Sequence, residues 1–174
     1  EGIATIGSPG LEGSNRKLRQ SFPYRPQLIS MRTESGGGFE VYLNRVPASE
    51  DSIESFRLVV KSYAAAGELS TISPPRLSVI EGHWHFLAIS FSAARRFGSK
   101  SECSILFDDS TYLRQPLPFP NMDDKILYPS IGFSHCQDLS ERSKVMRGQM
   151  GAIYHFDIAL SEGQMRGIYG LGSS

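Results

Sequence analysis

The sequence predicts an all-β fold, a sandwich of two antiparallel sheets with one short C-terminal helix. Three observations predict it. Short runs alternate apolar with polar residues, most cleanly at 39–44, where Phe39, Val41 and Leu43 fall on one side and Glu40, Tyr42 and Asn44 on the other. Turn formers punctuate the runs: 17 Gly and 10 Pro among 174 residues, which implies about eight to eleven short strands. Near the end, Ser161 is followed three residues later by Gln164, the spacing of a capping box that opens a helix.

In chain order, residues 1–26 are rich in Gly, Ser and Pro, with basic Arg16, Lys17 and Arg19, and read as a flexible lead-in or edge segment. The sandwich domain then occupies 27–174. Residues 27–33 form a strand, and Gly36, Gly37 and Gly38 make a hairpin turn accessible by allowing positive φ. Residues 39–44 return, 47–55 form an acidic loop, and 56–62, 69–72 and 77–80 are further strands. The run 83–93 (HWHFLAISFSA) is apolar on both faces, so it is expected as a central strand, with Trp84 in the core. Cys103, Ile105 and Phe107 mark the inward face of its partner. From Thr111 to Pro129, four prolines argue for a long irregular crossover; 130–133 is a brief strand and 137–147 a charged loop. Met150, Ala152, Tyr154 and Phe156 alternate, which predicts a last strand, with Phe156 in the core and Gly151 crowded between neighbours. A helix over 162–169 follows, ending at Gly170 or Gly172. The sum is a jelly-roll type of sandwich.

Eighteen basic residues balance eighteen acidic ones, so no overall field favours nucleic acid, an anionic membrane or acidic substrates. No apolar run approaches the roughly 20 residues of a membrane span, and the start carries no signal-peptide pattern. Cys103 and Cys136 match no zinc spacing and are expected as reduced thiols, with one disulfide as the alternative.

The acids and histidines are the candidates for chemistry. A retaining glycosidase needs two carboxyls about 5 Å apart in one cleft. Asp108 and Asp109, like Asp123 and Asp124, are adjacent, so on an extended chain each pair points to opposite faces. Glu50, Asp51 and Glu54 lie in a loop. Calcium would need six to eight converging oxygens, which Asp108, Asp109, Asn121, Asp123 and Asp124 would supply only if their two loops met. His83 and His85 share a strand face, but a metal would need His135 or His155 as well; packed, hydrogen-bonded histidines are the expectation. No nucleophile elbow, dinucleotide fingerprint or phosphate loop is present. The expectation is a non-enzyme with no cofactor and no metal. The long loop from Tyr112 to Tyr128, aromatic and partly apolar, is the candidate contact surface, with Tyr112, Phe119, Asp123, Asp124 and Tyr128 as its residues.

The block G-Q-M-G-A-I-Y-H-F-x-x-A-L-S-x-x-Q-M-x-x-I-Y-x-L-G over 148–172 resembles the end of the concanavalin A-like (jelly-roll, laminin-G-like) domain of BEACH-family proteins, the neurobeachin group. GGGFEVYL at 36–43, GHWHFLAISF at 82–91 and SILFDD at 104–109 follow that domain's order. The resemblance covers roughly 27–172 and implies a concanavalin A-like sandwich acting as a non-catalytic protein-interaction and scaffold module of a large vesicle-trafficking protein. It implies a cytoplasmic location, peripheral to membranes through the full-length protein, with flanking domains or other proteins as partners and no nucleic acid. The alternative is a carbohydrate-binding, lectin-like domain that takes a glycan with or without calcium.

Overall fold

The computed structural model of the protein describes residues 25–46, 55–64, 68–74, 78–80, 82–94, 100–133 and 145–172. Nine strands and one helix lie there: β1 (Gln27–Thr33), β2 (Gly38–Val46), β3 (Ser55–Tyr63), β4 (Leu69–Ile72), β5 (Ser78–Ile80), β6 (Leu87–Ser92), β7 (Glu102–Phe107), β8 (Thr111–Pro116), β9 (Ile126–Ile131) and α1 (Glu162–Gly172). One six-stranded sheet has the order β4-β3-β2-β1-β9, with β5 also on β3, and a three-stranded sheet has the order β6-β7-β8. All pairings are antiparallel. The protein is an all-β sandwich with one short C-terminal helix.

Alternation places the core. Val41 and Leu43 of β2, Phe56, Leu58 and Val60 of β3, Ile72 of β4, and Cys103, Ile105 and Phe107 of β7 bury together, with Leu117 from the connector after β8. Phe39 and Phe91 meet across the two sheets with ring centroids 5.2 Å apart. The β1–β2 hairpin turns through Gly36 and Gly38, at φ 84° and 114°. A Cβ on Gly38 would lie 2.0 Å from the Met31 carbonyl oxygen, so only glycine fits there.

The helix covers the outer face of the small sheet. Gln164 N–H donates to Ser161 Oγ at 3.4 Å, and Ser161 N–H to Gln164 Oε1 at 2.8 Å, the reciprocal pair of a capping box. Met165 is fully buried, as is Leu106 of β7, and neither belongs to the inter-sheet core; α1 packs against β7. Tyr169 meets Phe86 edge-on at 5.3 Å.

Several expectations are corrected. No strand forms over 150–156; Ile153, Tyr154 and Phe156 are exposed there, so Phe156 is not a core residue. Trp84 is not in the core either, at 69% exposure. The strand expected from residue 83 begins at Leu87 and is an edge among the described strands. Of its two apolar faces, one enters the core through Leu87, Ile89 and Phe91, and on the other Phe86 meets Tyr169 of α1 while Trp84 stays exposed. Gly151 is not crowded, since a Cβ would touch only the Trp84 ring at 3.9 Å. The proline-rich 111–129 stretch is not wholly irregular, because it holds β8 and most of β9. Pro116 ends an edge strand, and Pro129 sits where the β1–β9 register shifts, between the Ser30 and Arg32 pairings. Edges and bulges are where a missing N–H is tolerated. Residues 1–24 of the lead-in expected over 1–26, 47–54 of the loop expected over 47–55, 137–144 of the loop expected over 137–147, and Cys136 and His135 lie outside the described residues.

Candidate functional site

The connector between β8 and β9 is tied to the large sheet by its backbone. Ser62 Oγ donates to the Pro118 carbonyl at 2.6 Å, and Asn121 N–H to the Tyr63 carbonyl at 3.0 Å. Asp124 accepts from Ser35 N–H at 2.9 Å and Lys125 N–H at 2.7 Å. Those donors hold its carboxyl below the usual carboxylate range, the Lys125 amide contributing most. Asp124 therefore pins the β1–β2 turn, while exposed Asp123 sits in an Asx turn, its N–H donating to Asn121 Oδ1 at 3.1 Å. Phe119 is exposed on the same connector.

Tyr112 lies elsewhere. It pairs with Leu106 in the β7–β8 ladder, on the face that α1 covers, and its hydroxyl donates to Ser104 Oγ at 3.2 Å. Tyr128 contributes its backbone to β9; its side chain is outside the described residues. The structure thus groups Phe119, Asp123 and Asp124 on one connector and puts Tyr112 on another surface.

The acids and histidines of the small sheet form a structural knot. Asp108, at φ 50°, accepts from Phe86 N–H at 2.8 Å, and its other carboxylate oxygen lies 3.0 Å from His85 Nδ1. His85 stacks on Phe107 with centroids 4.9 Å apart, and His83 is 6.5 Å from His85 by the same measure. Asp109 pairs instead with Arg166 of α1. The two adjacent carboxylates therefore serve different partners. Among the described residues, no three His, Cys, Asp or Glu side chains gather as a metal site would require. Cys103 is buried in the core, and burial pushes its thiol up to about 12, so at neutral pH it is a protonated apolar side chain.

A further feature lies on the outward face of the large sheet, opposite the core. Here Arg25, Gln27, Glu40, Tyr42 and Lys61 line a depression of about 80 Å³. The β2–β3 register sets Glu40 against Lys61 and Tyr42 against Val59; Val59 is outside the inter-sheet core yet only 5% exposed. Arg32 organises one end. Its guanidinium sits 3.4 Å over the Tyr63 ring, lies 3.6 Å from Glu40, and donates to the Gly36 carbonyl at 2.8 Å. The Tyr63 hydroxyl donates to Glu40 Oε2 at 3.0 Å. Burial first, then the charge and hydrogen bond of Glu40, pushes this phenol up to about 12. Lys61 Nζ lies 5.2 Å over the Tyr42 ring. The polar half of the β2 alternation, Glu40 and Tyr42, was the signal for this face.

The other exposed feature is apolar. Ile153, Tyr154, Phe156 and Ile158 are all exposed along one irregular run, and Gly151 at its start lies beside exposed Trp84. The run is anchored at its end, where Leu160 N–H donates to Ser90 Oγ at 2.9 Å.

Fold and surfaces together describe a β-sandwich that displays one apolar strip and one basic, tyrosine-bearing face. No family model, curated protein or solved structure matches the chain.

Proposed function

We propose that the chain is a non-catalytic protein-interaction and scaffold module, a concanavalin A-like domain within a large BEACH-family membrane-trafficking protein. One observation carries the interaction reading: Tyr154 and Ile158 are 68% and 62% exposed on the run beside Trp84. Large apolar side chains left exposed so close together along the chain mark a contact surface. The residue blocks quoted above are what supports the family. In this reading the module is cytoplasmic, reaches membranes only through the full-length protein, and binds flanking domains or protein partners.

The test is a pull-down with the neighbouring segments of the parent chain, comparing wild type with the double variant Tyr154→Ser/Ile158→Ser. Capture by wild type that the variant loses supports the reading. Capture unchanged by the variant, or reproducible sugar binding on a glycan array with or without chelator, counts against it.

A further inference from the structure

We propose that the outward face of the six-stranded sheet docks an acidic stretch of polypeptide, seating a Glu or Asp carboxylate between Arg25 and Lys61. This surface is separate from the apolar strip, and the inference stands without it. Charge comes first. Arg25 and Lys61 line the depression, Arg32 stands at its end, and Glu40 is the one acid among its described lining residues, already engaged by Arg32 at 3.6 Å and by the Tyr63 hydroxyl at 3.0 Å. Among the described residues, no carboxylate is in ion-pair contact with Arg25 or Lys61. A chain with zero net charge therefore presents a locally positive face, the complement of an acidic partner.

Size narrows the occupant. The depression of about 80 Å³ is far below the roughly 300 Å³ at which small-molecule sites begin, so it takes the tip of a side chain and not a sugar ring. Rigidity helps as well. Arg32 is held by the turn carbonyls, the Tyr63 ring and Glu40, and Lys61 rests over Tyr42, so these two side chains have less freedom to lose on docking. In an extended partner, acids at alternate positions would share the face turned toward the sheet.

The test is fluorescence anisotropy on the full chain with a labelled peptide of alternating Glu and Ala, against a matched Gln-Ala peptide, inorganic phosphate and phosphatidylserine vesicles. The expected result is saturable binding of the Glu-Ala peptide alone. That binding disappears at about 1 M salt, where the screening length is about 3 Å. Arg25→Glu/Lys61→Glu should weaken it roughly tenfold or more with an unchanged circular dichroism spectrum and Tm, while Lys61→Arg and Ile158→Ser leave it intact. The proposal is overturned by equal binding of the Gln-Ala peptide, by an unaffected charge-reversal variant, or by vesicle or phosphate binding without peptide binding. Loss of partner capture on the apolar strip would leave all these results unchanged, so the two readings fail separately.

Discussion

Arg166 of the C-terminal helix donates to both the backbone carbonyl and the carboxylate of Asp109, each at 2.6 Å, joining α1 to the turn between β7 and β8. The same guanidinium also bonds Glu162 one turn back, at 3.0 Å. The helix is thus held at its polar edge by charge and at its apolar face by Met165.

Those two attachments differ in strength. Met165 is fully buried, so Met165→Ala should destabilise by about 2–4 kcal/mol through lost transfer energy and the void left behind. Arg166→Ala removes exposed pairs that salt screens and should lower Tm only slightly, with the difference shrinking as salt rises. Urea unfolding of both variants at low and high salt checks the ranking.

Two glycines make opposite predictions. Gly151→Val should leave Tm nearly unchanged, because a side chain there meets only the Trp84 ring, at 3.9 Å. Gly38→Ala should lose roughly 3 kcal/mol or more, since φ is 114° and the new Cβ would strike the Met31 carbonyl. Thermal melts of the pair decide the point.

Stability should fall in alkali. Burial raises Cys103 from 9.0 to about 12, and burial with Glu40 raises Tyr63 from 10.0 to about 12. Between each pair of values the folded state keeps a proton that the unfolded state releases, so their contribution is complete below pH 9 and is lost as pH climbs toward 12. Denaturant titrations from pH 8 to 11 should show this decline, and Cys103→Ala should flatten its lower part. In the native protein the thiol should resist alkylation at pH 8 and react once the chain unfolds.

Trp84 should report solvent. With 69% of its surface exposed, its emission in the folded state should be readily quenched by acrylamide, and Trp84→Ser should leave the denaturant midpoint close to wild type. A protected, blue-shifted indole would contradict this placement.

Local alternation was a faithful guide where a hairpin supplied the partner. The strands at Gln27–Thr33 and Leu69–Ile72 begin and end where their patterns do, and the Ser161–Gln164 cap forms as its spacing requires. The same alternation misled at 150–156, because period 2 reports that one face can be buried, not that a neighbouring strand arrives to bury it. Prolines conceal β8 and β9, since Pro is shut out of central ladders yet tolerated in strands at sheet edges. Asp124 looked like a binding residue because neither the Ser35 amide nor the hairpin that delivers it to the carboxylate is visible from residue spacing. The basic face is half legible, in that Glu40 and Tyr42 fall on the polar side of β2, while Lys61 joins them only through the β2–β3 register and Arg25 only where the chain enters β1.

Pro129 has an effect beyond tolerating its place in β9, the outermost described strand on that side of the large sheet. A naked strand rim is a template on which a neighbouring molecule can zip itself by main-chain bonding. The proline ring removes one donor from that row, and the irregularity in register beside it turns the remainder out of line. The large sheet is thereby discouraged from polymerising with itself through this rim.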